Sequence, residues 1–197
     1  MSRHLLIAGA CIAALSLAAC GKKAETEGAA TPAEQAMTPD ANPAATVPTP
    51  ANEATAADFV PKAAASDMFE VELAKVAQKR ATSAEVKKFA GEMITAHTKT
   101  TADLKKAIAD SGQTITPPAT LPADLQAKID DLSKVDAKDF DKNYMDNQVD
   151  AHQSALNLMQ RYAEDGDVPA IKAFAAATAP AVQKHYDMAK ALRDSLK

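Results

Sequence analysis

From about residue 56 onward, apolar side chains recur every three or four positions, the spacing that lines one face of an α-helix. A first helix is predicted over about 57–81, with Asp58 near its cap and Pro61 tolerated in its first turn. Its stripe is Phe59, Ala63, Ser66, Phe69, Leu73, Val76 and Ala77. Thr82 followed by Glu85 has capping-box spacing and opens a second helix, which Gly112 ends. That helix turns Val86, Ala90, Met93, Thr100, Leu104 and Ile108 to one side. Asp136 caps a third long helix, with Met145, Val149, Leu156 and Met159 inward and Gly166 as its stop. Asp167 and Pro169 open a fourth, carrying Ile171, Phe174, Val182, Met188 and Leu192 on its stripe.

The connection over 111–136 is broken by Pro117, Pro118 and Pro122, yet Leu125, Ile129 and Leu132 are spaced for a short amphipathic helix inside it. The pattern therefore predicts an all-α fold: a four-helix bundle over residues 56–196, with a short extra helix between the second and third long helices. The long link leaves two topologies open. The third long helix returns antiparallel to the second, or the link runs the length of the bundle and the two lie parallel, as in ferritin-like folds.

The amino-terminal part reads differently. Residues 20–55 hold Pro32, Pro39, Pro43, Pro48 and Pro50 among Ala, Thr, Glu and Asn, with only Met37 and Val47 as larger apolar side chains. Such a segment cannot offset the entropy of ordering its backbone, so a disordered tether is expected. Ahead of it, Arg3 precedes an apolar run of about thirteen residues from Leu5 to Leu17. A membrane span needs roughly 20 apolar residues, so the run reads as a cleaved signal. Leu17-Ala18-Ala19-Cys20 places small residues before a cysteine, the pattern of a lipoprotein signal peptide over 1–19 with lipidation at Cys20. Gly21, rather than Asp, directs such a chain to the outer membrane, where it faces the periplasm and meets the membrane through its lipid. Cys11 leaves with the signal, so no disulfide is available and the core must hold the fold.

Composition narrows the chemistry. Aromatics make up 4% of the chain and Trp is absent, which suits closely packed helices better than a β-sandwich. The formal charge is −4, and no basic stripe interleaved with aromatics exists to hold nucleic acid. Neither a glycine-rich phosphate loop nor a nucleophile elbow is present, which argues against nucleotide and hydrolase chemistry.

One constellation stands out. Beyond the signal, the histidines are His97, His152 and His185, one on each of the last three long helices and each on its apolar stripe. His152 lies seven residues from both Met145 and Met159, and His185 seven from both Thr178 and Leu192. Each histidine falls near the midpoint of its helix, so both topologies bring the three into one layer. Glu70 of the first helix has a matching depth. Imidazoles with a carboxylate make a site for zinc, copper or iron, and Met93, Met188 and Gln148 are candidate accessory groups. The competing reading makes each histidine a core residue satisfied by a neighbouring hydrogen bond.

The run Phe69-Glu70-Val71-Glu72-Leu73-Ala74-Lys75-Val76-Ala77 resembles the first-helix signature of the bacterial domain-of-unknown-function family 4142. So do Val86 to Met93 leading to His97, Phe140-Asp141-Lys142-Asn143-Tyr144 leading to His152, and Phe174-Ala175 through Pro180 to His185. The resemblance implies an exported, often lipid-anchored, ferritin-like bundle with no settled activity. Di-iron ferritin-like proteins use Glu-x-x-His on two helices. Here Ile94, Val149 and Val182 stand three residues before the histidines, which argues against ferroxidase chemistry.

No catalytic set is legible, so the leading expectation is a non-enzymatic binding or envelope-interaction module with an envelope protein as partner. The alternative is a metal-binding or redox protein using His97, His152, His185 and Glu70. A third is a proton-sensing bundle, because unperturbed imidazoles titrate near pH 6.5.

Overall fold

Four long helices form because the helical stripes above each find an apolar partner. In the computed structural model, which describes residues 54–196, α1 spans Ala56–Arg80, α2 Ala84–Ser111, α3 Ala123–Leu132, α4 Ala137–Asp165 and α5 Pro169–Ser195. There is no strand among the described residues, and none of their helices is long and apolar enough to cross a membrane. The expected signal over 1–19, the lipidated Cys20 and the tether up to residue 53 lie outside the described residues.

Side chains tie the helix ends together and fix their directions. At one end Asp167 accepts from the Ala56 amide at 2.8 Å and from the Tyr162 hydroxyl at 3.0 Å. The start of α1 thus meets the α4–α5 turn. At the other end Asp141 accepts from the amide and hydroxyl of Thr82 at 3.0 and 2.6 Å, and from the Ser83 amide at 2.7 Å. Arg80 donates there to the carbonyls of Leu132, Ser133 and Val135, and its guanidinium lies 4.8 Å from the Phe140 ring centroid. The end of α1 therefore meets the start of α4. It follows that the 112–136 link runs the length of the domain and that α2 and α4 point the same way. α1 and α5 each pack against both α2 and α4, so neighbouring long helices are antiparallel, while α3 lies against α1 and α4.

Two capping expectations need correction. Ser83, not Thr82, caps α2, accepting from the Val86 amide at 3.3 Å, because Asp141 captures Thr82. The residue at the cap of α5 is Val168, because Asp167 serves the tie to Ala56 instead. Gly112 ends α2 in the left-handed region at φ 69°, where a side chain would be strained. α5 continues through Pro180 to Ser195 without a break.

The apolar core is divided. One cluster gathers Phe59, Leu104, Tyr162, Ile171 and Phe174, with Phe59 and Tyr162 stacked at 4.1 Å between ring centroids. Aromatic pairs of this kind stabilise by about 0.5–1.5 kcal/mol beyond the area they bury. The other cluster gathers Leu73, Phe89, Met93, Phe140, Tyr144 and Met145. Where one cluster gives way to the other along each long helix stand polar residues: Asp67, with Glu70 just beyond Phe69, on α1, His97 on α2, His152 on α4 and His185 on α5.

Candidate functional site

The polar layer brings the three histidines together. Ring centroids are 5.5 Å apart for His97 and His152, 5.6 Å for His152 and His185, and 6.0 Å for His97 and His185. One nitrogen from each ring lies within 4.8 Å of the other two. His97 and His152 are buried and His185 is half-buried. All three project inward because heptad-like spacing places them on the stripes that build the core.

Hydrogen bonding decides which nitrogens remain free. His97 Nδ1 lies 2.8 Å from Asp67 Oδ1, and Thr101 donates its hydroxyl to Asp67 Oδ2 at 3.2 Å. His152 Nδ1 lies 2.9 Å from the Gln148 carbonyl, one helical turn back. A carboxylate and a carbonyl accept, so both Nδ1 atoms carry the proton, and in the neutral ring each Nε2 keeps a lone pair. The buried nitrogens without a partner are His97 Nε2, His152 Nε2 and His185 Nδ1, one per ring.

Glu70 stands behind His152 rather than among the converging nitrogens. Its Oε2 accepts from Gln148 Nε2 at 2.6 Å, and its Oε1 lies 3.7 Å from His152 Nδ1 without a hydrogen bond. Gln148 holds Glu70 with its side chain and His152 with its carbonyl. Met93 is fully buried in the apolar cluster beside the layer, and Met188 is half-buried against that cluster.

Asp67 and Thr101 were not among the residues singled out from sequence. Asp67 lies four residues after Ala63 and three before Glu70, so the buried face of α1 runs through it. The predicted stripe passed instead through Ser66, which is half-buried. A carboxylate on an apolar face opposite a histidine-bearing helix is the signal that would have found it.

The electrostatics follow from burial. Desolvation depresses His152 to about 4, with the neighbouring His97 charge acting the same way. Desolvation likewise lowers His185 to about 4, aided by His152 and His97. Burial works against charge on His97 too, but the Asp67 hydrogen bond and the charges of Glu70 and Asp67 outweigh it, and its pKa is raised. Desolvation raises the carboxyls of Asp67 and Glu70, and drives Tyr144 well above the usual phenol value with the Glu70 charge adding to it.

Among the described residues, the buried side-chain atoms without a hydrogen-bond partner are Glu70 Oε1, His97 Nε2, Tyr144 Oη, Gln148 Oε1, His152 Nε2 and His185 Nδ1. Every one lies in this layer or, for Tyr144, two turns before His152 on α4. An unsatisfied buried polar atom costs roughly 1–3 kcal/mol, so five in one layer is more than packing alone would retain. Three imidazoles in one layer, each with a nitrogen within 4.8 Å of the others, form in their neutral state a donor set for a first-row transition metal. In a tetrahedral site with nitrogens at about 2.0–2.1 Å, ligands sit about 3.4 Å apart. The rings would therefore draw inward by roughly an ångström to bind.

The fold is similar to that of a DUF305 fragment from Deinococcus radiodurans, with a TM-score of 0.60 and 13% identity over 70% of this chain and 94% of that one. No curated protein matches the chain. The model of one family matches residues 41–192. The chain belongs to that family, a domain of unknown function designated DUF4142.

Proposed function

We propose that this protein is a lipid-anchored periplasmic metal-binding protein that holds one first-row transition-metal ion on His97, His152 and His185. Two observations carry the reading: one nitrogen from each ring lies within 4.8 Å of the other two, and each ring keeps one buried nitrogen without a hydrogen bond. They favour metal binding over a purely structural histidine layer, in which each ring would use its nitrogens in hydrogen bonds. Zinc, copper and iron all accept imidazole nitrogen, and three protein ligands leave a tetrahedral ion one open position.

The scaffold we propose is a four-helix bundle of ferritin-like connectivity over residues 56–196. The parallel course of α2 and α4, and the antiparallel packing of every neighbouring pair, support it. A signal over 1–19, lipidation at Cys20 and a tether over 20–55 would hold this bundle off the outer membrane; their support is the sequence pattern.

Metal analysis of protein purified from its native envelope tests the reading. Stoichiometric copper, iron or zinc, lost in His152→Ala at unchanged helicity, is the expected result. Metal-free protein that also fails to take up any of the three when supplied overturns it.

A further inference from the structure

We propose that Asp67 and Glu70 of α1 act as positioning and charge-balancing residues that fit the histidine trio to a divalent rather than a monovalent cation; this rests on the metal reading above. The three ring ligands come from α2, α4 and α5. α1 gives no imidazole, but it sends a carboxylate to the back of two of them.

Asp67 and Glu70 are three residues apart, so they share one face of α1. One reaches His97 Nδ1 at 2.8 Å and the other comes within 3.7 Å of His152 Nδ1. A carboxylate behind a metal-bound histidine fixes the ring's tautomer and orientation and makes its other nitrogen a better donor. Asp67 meets that description directly. Glu70, pinned by Gln148, acts on His152 mainly through its charge.

The second observation is a deficit of positive charge. The buried polar and charged residues are Asp67, Glu70, His97, Asp141, Gln148 and His152, and no lysine or arginine is buried among the described residues. Asp141 is spent at the far end on Thr82 and Ser83. Asp67 and Glu70 are 4% and 1% exposed, so their charges lie in a medium that penalises an uncompensated anion heavily. Neutral imidazoles bring no charge to an ion they bind. A divalent ion and two carboxylates sum to zero, whereas a monovalent ion leaves an anion buried. Coulomb energy scales with the charge of the cation, so the same two carboxylates favour the divalent ion.

The test measures Zn²⁺ and Cu⁺ affinities of the full mature chain by chelator competition, for wild type, Asp67→Asn and Glu70→Gln. Each variant is expected to weaken Zn²⁺ by about 10–100-fold, and Cu⁺ by about the square root of that factor. In Asp67→Asn, ¹⁵N NMR should show His97 losing its fixed Nδ1–H tautomer, a change that loss of packing alone would not produce. Zn²⁺ affinity within about 3-fold of wild type in both variants, or equal weakening of the two ions, overturns the proposal. Should an amide variant fold poorly, the exchange Asp67→Glu with Glu70→Asp keeps both charges. It must retain the wild-type preference for Zn²⁺ over Cu⁺, and loss of that preference overturns the charge argument. His97→Ala and His152→Ala separate this proposal from its premise. If they still bind either ion stoichiometrically, the trio reading itself fails, whatever the carboxylate variants do.

Discussion

Asp67 Oδ1 lies 2.8 Å from His97 Nδ1, a buried link from α1 to α2 that leaves the imidazole's other nitrogen without a hydrogen bond, in a ring 5.5 Å from His152 and 6.0 Å from His185. The pair sits in the polar layer that interrupts the apolar core. Its energetic logic is that of a site: buried polar atoms left unpaired lower stability, and a ligand that pairs them restores it.

Metal binding should therefore raise thermal stability. A ligand present at 100 times its Kd stabilises the folded state by about 2.7 kcal/mol. Zn²⁺ added to the chelated protein is expected to raise Tm in a concentration-dependent way. His152→Ala should abolish the shift.

Acidification should act through His152 and His185. Both are depressed to about 4 in the folded chain, against 6.5 for the free side chain, so the unfolded chain binds more protons between these values. Their contribution lowers the stability of chelated protein as pH falls from about 6.5 toward 4, with no further loss below. His97, Asp67 and Glu70 have raised pKa values and contribute with the opposite sign. Comparison with His152→Gln/His185→Gln isolates the two imidazoles together with their coupling to His97. Urea denaturation should show wild type losing more stability than the double variant over that window.

Gly166 should tolerate no side chain. A Cβ there would stand 2.5 Å from the Tyr162 carbonyl oxygen and 2.7 Å from its ring, at the turn where Tyr162 also bonds Asp167. Gly166→Ala is expected to cost about 1–3 kcal/mol, the range for forced overpacking. Chemical denaturation measures it, and Zn²⁺ stoichiometry should be unchanged.

Asp141→Ala should loosen the opposite end. It removes the acceptor for Thr82 and Ser83 and leaves their amides to find water. Hydrogen bonds to a charged group contribute about 1.5–3 kcal/mol, so a loss of about 2–4 kcal/mol is expected from the group. Faster amide exchange at 81–84 would locate the effect.

Much of this architecture could be read from periodicity because helix formation is local. The stripes of α2, α4 and α5 placed His97, His152 and His185 inward at matching depths, and the first helix expected over about 57–81 is Ala56–Arg80. What escaped depends on partners distant in sequence. Thr82 was expected to cap α2, but Asp141, 59 residues away, takes it and leaves the cap to Ser83. Asp167 was expected to cap α5, but the Ala56 amide, 111 residues away, takes it. Asp67 was passed over because one position on a helix turns the side chain by about 100°, so tracing the stripe through Ser66 hid it. The direction of α4 was open because a 112–136 link rich in proline fits either course until Arg80 shows where its end is held.

Anchoring makes its own prediction. Under the lipidation proposed at Cys20, Cys20→Ala is expected to reduce the share of the protein in the membrane fraction, since acyl chains contribute about 0.8 kcal/mol per buried CH₂. Fractionation with the folded domain unchanged reads this directly.

Whether three imidazoles share one metal ion is read by X-ray absorption at the zinc edge of the Zn²⁺-loaded full chain. Three imidazole nitrogens at about 2.0–2.1 Å are expected, lost in the His97→Ala, His152→Ala and His185→Ala triple variant. A shell made of oxygen alone, or one unchanged in the triple variant, would contradict it.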